Sequence, residues 1–287
     1  MKTLSLSVLA TAMLLVASAT FAQTTSKLNQ NAALRYYAAF SVMQDATLSD
    51  QEAKEITAIL DGTAPYDDTK YKGLIERNQL ALTTMERGTA LPSCDWGLDY
   101  GLGDDTPVEY ARKALQLGRL NVLNAFHLAL RENKDETVRT LAAGLRFSHD
   151  VANGGSLFAT VIAKELLMEH FRAIEGLQHL GGISPAQGSV LRRAITQLGP
   201  KGLDWEAGMR TEMAVLNRPD WQKNVPLGQV TEAYVGALKD PSTLPQLEQL
   251  LAKMPKPLRE VIPLPKEVIE QKQEFEAKLR QVRAALQ

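Results

Sequence analysis

The sequence predicts an all-α protein of stacked antiparallel helical hairpins, of the α-solenoid or tetratricopeptide-like kind. Three observations carry that reading. Ala, Leu, Glu, Gln and Arg are abundant beyond residue 23, no run alternates apolar and polar residues as a half-buried strand does, and helix-start signals recur at short intervals. Long and short helical segments joined by tight turns are what helices covering one another's apolar faces require. No two units of about 34 residues share a tetratricopeptide consensus, so the repeat character rests on architecture alone.

Residues 1–22 read as a cleavable leader. Lys2 is its one charge, an apolar run extends from Leu4 to Ala17, and Thr20 and Ala22 stand before a cut at Gln23. The run is too short to span a bilayer, and no later segment approaches about 18 uninterrupted apolar residues. The sole cysteine, Cys94, lies far from the leader, which excludes a lipid anchor at the cut. The expected location is the periplasm or the medium. In such an oxidising setting one cysteine cannot close an internal disulfide, so a buried thiol is expected.

The helices follow in order. In residues 30–43, Ala33, Tyr36, Tyr37 and Phe40 share one side. Ser49 and Glu52 form a capping box for the next helix. Residues 68–87 form a third, with Gly88 as a left-handed stop. Thr106, Pro107 and Glu109 start a long helix over 107–132, which turns back at "ENKDE" into 135–153 and stops at Gly154-Gly155. A helix from Ser156 to Leu180 comes next. Another opens on the box of Ser184, Pro185 and Gln187, and ends at Gly199-Pro200. Beyond Gly202 a helix precedes "RPDWQKNVPLG", and a further one covers 227–238.

Residues 23–239 thus form the hairpin domain. Six prolines between 240 and 265 confine helix there to a short piece around 246–253. Residues 266–287 carry a terminal amphipathic helix whose stripe is Val268, Phe275, Leu279, Val282 and Leu286, interrupted by Lys272. The thin stripe and the prolines before it predict a helix separable from the core.

Near the amino terminus "NAALRYYAAF", and later "CDWGLDY", resemble segments of a family of secreted all-helical bacterial proteins of uncharacterised function. The likeness covers the first half to two-thirds of the chain beyond the leader. It implies a secreted helical protein and no activity.

Composition narrows function by exclusion. With 32 basic and 33 acidic residues there is no electrostatic footprint for nucleic acid or an anionic membrane. Motifs for zinc peptidases, serine hydrolases and phosphate-binding loops are missing, and "GLGDD" follows no strand, so no cofactor and no metal are expected. Helical phase places His127 beside Glu109, Lys113 and Gln116, on a solvated face. It places His149 and His170 on apolar faces, about 15 Å apart along a hairpin at ~1.5 Å per residue, too far to share an ion. Each reads as a core histidine satisfied by one hydrogen bond. Asn78 interrupts the stripe of Tyr71, Leu74, Ile75, Leu82 and Met85. It must bond something, and backbone of the loop after its own helix is the expected partner. Glu165, Glu169 and Arg172 read as a solvated charge cluster, with Glu165 a candidate for lining a groove.

The stretch "LPSCDWGLDYGLGDD" (91–105) invites chemistry. Asp95 and Asp99 do not match a calcium loop, but with a histidine such as His170 they are the catalytic candidates for hydrolysis or elimination. Trp96 and Tyr100 suit a stacking or peptide-binding surface. The alternative uses every residue type present: Leu91, Cys94, Trp96 and Leu98 bury while the aspartates cap turns, making the stretch a packed strap. The expected function is a non-catalytic module that binds a peptide or another envelope protein. A cell-envelope hydrolase or lyase using Asp95 or Asp99 is the rival.

Overall fold

A computed structural model describes residues 30–46, 48–105, 109–179, 183–216 and 227–286; among them every extended element is helical. Helix α1 (Ala32–Val42) begins at Asn31, whose Oδ1 accepts from the Ala33 N–H at 3.1 Å. Helix α2 (Asp50–Leu60) opens on the expected box: Glu52 N–H donates to Ser49 Oγ at 3.3 Å, and Ser49 N–H to Glu52 Oε2 at 2.8 Å.

The single helix expected over 68–87 is two, α3 (Asp68–Arg77) and α4 (Gln79–Thr89), parted at Asn78 (φ −101°, ψ 9°). Gly88 is no left-handed stop. It lies inside α4, where a Cβ would stand 2.6 Å from Tyr36 Cε1, so the glycine lets α1 and α4 approach closely. A 3₁₀ turn, Tyr100–Asp105, ends the following loop.

Three long helices come next: α5 (Glu109–Leu130), α6 (Lys134–Val151) and α7 (Leu157–His179). Helix α6 returns antiparallel along α5: Tyr110 at the start of α5 donates from its hydroxyl to Val151 O at the end of α6, 3.2 Å away. Gly154 (φ 67°) provides the expected stop. Then follow α8 (Pro185–Gln197), which keeps its predicted Ser184–Gln187 box, α9 (Trp205–Val215), α10 (Leu227–Lys239), α11 (Leu244–Ala252), α12 (Lys256–Val261) and α13 (Pro265–Ala285). The expected helix start at Thr106-Pro107 and most of "RPDWQKNVPLG" lie outside the described residues.

Packing is between chain neighbours for α5, α6 and α7, while α4 and α8 lie on α6, and α2, α9 and α13 lie on α7. One apolar cluster runs through all of them, with Tyr36, Phe147, Phe171, Trp205, Tyr234 and Phe275 fully buried. No helix among the described residues is long and apolar enough to cross a membrane.

Two expectations are corrected here. The prolines do not suppress helix: Pro245, Pro257 and Pro265 sit in the first turns of α11, α12 and α13. There the missing N–H has no intrahelical partner to lose and the fixed φ suits the helix. Nor is the terminal helix detached. Its whole stripe is buried, with Phe275 stacked 6.2 Å from Phe171, and Gly202 (φ 76°) leaves the space Leu279 and Phe275 occupy. Lys164–Glu274 and Lys278–Glu175 pairs, each 2.6 Å, fasten α13 to α7. Arg192 Nε donates to Leu286 O at 2.6 Å, and Arg283 to Pro200 O at 3.0 Å. Lys272 joins the buried stripe through its aliphatic stem, its ammonium 2.9 Å from Glu276.

Candidate functional site

The last turn of α6 leaves carbonyls without intrahelical donors, and Cys94, Trp96, Tyr100 and Tyr110 supply donors to that end of the helix and the turn after it. Trp96 Nε1 donates to Asp150 O at 2.8 Å, and Cys94 Sγ lies 3.7 Å from the same oxygen. Tyr100 donates to Gly154 O at 3.0 Å, and Asn153 Nδ2 returns a bond to Cys94 O at 2.6 Å. Trp96 is buried in an aromatic nest, stacked on Tyr110 (4.3 Å between centroids) and Phe40 (6.1 Å), with the Tyr37 ring edge-on at 5.4 Å. The buried Asp150 carboxylate beneath it accepts from Tyr36 at 2.7 Å and pairs with Arg146 at 3.0 Å. A carboxylate at a helix C-terminus is unfavourable by itself; those two partners offset it.

Cys94 is a buried free thiol, and burial pushes its pKa well above the ordinary range. Asp95 and Asp99 are exposed and shape turns, their Oδ1 atoms accepting from Gly97 N–H and Gly101 N–H at 2.9 Å each. Asn31 fastens the strap to α1, exchanging side-chain bonds with the Asp95 main chain at 2.7 and 2.8 Å.

The histidines divide differently from their helical phases. His170 is fully buried, with Nδ1 2.7 Å from Leu166 O and Nε2 3.0 Å from the Asn121 amide. Neither ring nitrogen is left for Asp95 or Asp99. Burial pushes its pKa down to about 4, so the ring is neutral. A neutral ring donating through Nδ1 accepts at Nε2, which the NH₂ end of the Asn121 amide satisfies after a half-turn. His149 is half-buried. The estimate of about 15 Å overstates the offset between α6 and α7, because Ser148 Oγ, beside His149, lies 3.5 Å from His170 Nδ1. Side chains on a helix lean toward its N-terminus, which carries the His170 ring back over Leu166 and into reach of α6.

His127 is a correction. It is 7% exposed, and Nδ1 lies 2.5 Å from Asp68 Oδ1. Helix α5 is covered by α3 as well as by α6 and α7, so its polar edge meets protein where solvent was expected. Glu169 is another: it is buried, 3.0 Å from Arg119 Nε, which also reaches Glu165, while Arg172 pairs with Asp61. Burial pushes the Glu169 carboxyl up to about 7 against the pull of Arg119, and its Oε2 has no partner among the described residues. Asn78 is fully satisfied, but by the loop after α1 and its own helix. Its Oδ1 accepts from Gln44 N–H at 2.8 Å, and its Nδ2 donates to Gln44 O and Leu74 O at 2.7 and 2.9 Å. The loop expected as partner follows α4 instead.

Two of the concave places among the described residues bear on function. A 220 Å³ cavity between α4, α5 and α6 is lined by Gln79, Glu86, Asn124, His127, Glu136 and Thr140, with Asn121 at its edge toward His170. An open groove of 750 Å³ runs between α7 and α13. Val161, Met168 and Ala277 lie along it with Lys164, Glu165, Arg172, Glu274 and Lys278. Of the residues singled out from sequence, Glu165 lies on this groove, whereas Asn78 and Trp96 are held in packing. No group of three potential metal-ligating side chains occurs among the described residues. The signal for the cavity stood in "NVLNAFH" (121–127), where Asn121, Asn124 and His127 repeat every three residues inside an otherwise apolar helix.

No protein-family model, curated protein or solved structure matches the chain.

Proposed function

We propose that this chain is a non-catalytic helical module, exported by its leader, that seats an amphipathic helix of another envelope protein between α7 and α13. The α7–α13 groove is the observation that carries the reading. Two helices of 23 and 21 residues flank it, long enough to match several turns of a third helix. Apolar side chains at Val161, Met168 and Ala277 lie among charges of both signs, the surface a partner helix with an apolar stripe and mixed flanking charges complements. In this reading α5 to α8 are the stacked, solenoid-like hairpins, and α13 forms the groove's second wall.

A display library of amphipathic helical peptides, selected on the mature protein, tests it. Selected peptides are expected to lose binding about tenfold or more when Met168→Asp places an unpaired charge in the groove. Ala277→Asp, on the exposed side of α13, gives a second variant that leaves the core untouched. Binders indifferent to both changes overturn the reading.

A further inference from the structure

The cavity between α4, α5 and α6 is separate from the groove and is built from different chemistry. Asn124 is 93% buried, lines the cavity, and has no side-chain hydrogen bond among the described residues. The Asn124 amide is not among the polar atoms sealed from solvent, so water or a ligand in the cavity can reach it. His127 lines the same space; with Nδ1 held by Asp68, its Nε2 is the ring nitrogen left for an occupant. Glu86 is half-buried on the wall and forms no ion pair among the described residues, while Glu136 adds a second carboxylate beside its Arg139 partner. Among the described residues that line the cavity there is no Lys or Arg, although Glu86 also borders a neighbouring pocket that Arg139, Arg146 and Arg193 line. Its 220 Å³ equals about seven waters at ~30 Å³ each, below the ~300–1,000 Å³ of drug-sized sites.

We infer that this cavity binds a small amino alcohol, its ammonium group paired with Glu86 and its hydroxyl bonded by the Asn124 amide and His127 Nε2. Two carboxylates on the wall, Glu86 without an ion pair among the described residues, and no Lys or Arg among the lining residues favour positive charge inside the cavity. The unpartnered amide, both donor and acceptor, beside a ring nitrogen suits a hydroxyl, which also donates and accepts.

NMR of the isotope-labelled mature protein, read on its side-chain amides during titration with ethanolamine, ethylene glycol and glycolate, tests this. The three probes share size and differ in charge. Ethanolamine is expected to bind and to move the Asn124 side-chain amide resonance, with binding weakened about tenfold in Glu86→Gln, a change on a half-buried wall that leaves the core intact. Asn124→Ala is expected to weaken it as well. Failure of ethanolamine to bind, equal binding of ethylene glycol or glycolate, or undiminished binding in Glu86→Gln overturns the assignment.

Discussion

Trp96 donates its indole N–H to the main-chain carbonyl of Asp150 across 2.8 Å, joining the loop after α4 to the end of α6. The contact makes residues 91–105 a structural strap. Trp96→Ala removes a buried ring and this bond together and is expected to cost about 3–5 kcal/mol. Trp96→Phe keeps most of the packing and loses the bond, costing about 1–2 kcal/mol. Urea unfolding measures both, and a Trp96→Ala cost under about 1 kcal/mol would sink the strap.

Cys94 belongs to that strap, and burial favours its neutral thiol. It is expected to resist thiol reagents in native buffer and to react in denaturant. Rapid native labelling would show that the loop opens readily.

Gly144→Ala tests how tightly α5, α6 and α7 meet. A Cβ there would stand 2.0 Å from His170 Nε2 and 2.2 Å from Asn121 Oδ1. Both ring nitrogens of His170 are bonded, so the ring cannot swing away cheaply. Helix propensity favours alanine by about 1 kcal/mol, yet overlap of this kind costs typically 1–3 kcal/mol or more. Net destabilisation is expected in calorimetry, and a raised Tm would contradict the packing.

Glu169 and His170 give stability opposite pH dependences. The Glu169 pKa is raised from 4.5 to about 7, so its contribution is fully present below pH 4.5 and lost as pH rises through about 7. The His170 pKa is lowered from 6.5 to about 4, so its contribution is present above pH 6.5 and lost as pH falls through about 4. Glu169→Gln keeps a neutral side chain at every pH. It is expected to gain on the parent protein by about 1–3 kcal/mol as pH rises from 4.5 past 7. A stability difference that stays constant with pH would show that Arg119 holds Glu169 ionised throughout.

The terminal helix yields a fourth stability test. Phe275 is fully buried against Phe171. Truncation after Leu264 is therefore expected to lower the Tm sharply, and an unchanged Tm would restore a separable helix.

Helix existence was legible wherever local chemistry decides it. The Ser49–Glu52 and Ser184–Gln187 boxes are local devices, and both form. Burial was legible for Trp96, whose size demands cover, for Cys94, since a lone free thiol usually buries, and for His170, whose helical face is apolar. It failed where a second helix supplies the cover. His127 and Glu169 lie on polar edges by phase, and Asp68 of α3 and Arg119 of α5 close over them. Phase gives a side chain's direction and says nothing of what lies opposite. The prolines misled for a related reason: the same residue ends one helix and begins the next, and position within the turn decides which.

The central claim is that binding belongs to the α7–α13 groove while the conspicuous loop serves packing. Amide hydrogen exchange with and without a selected helical peptide separates the two places directly. The account predicts added protection in residues 161–172 and 271–281, with residues 91–105 unchanged. Protection confined to 91–105 would contradict it and return the loop to the centre of function.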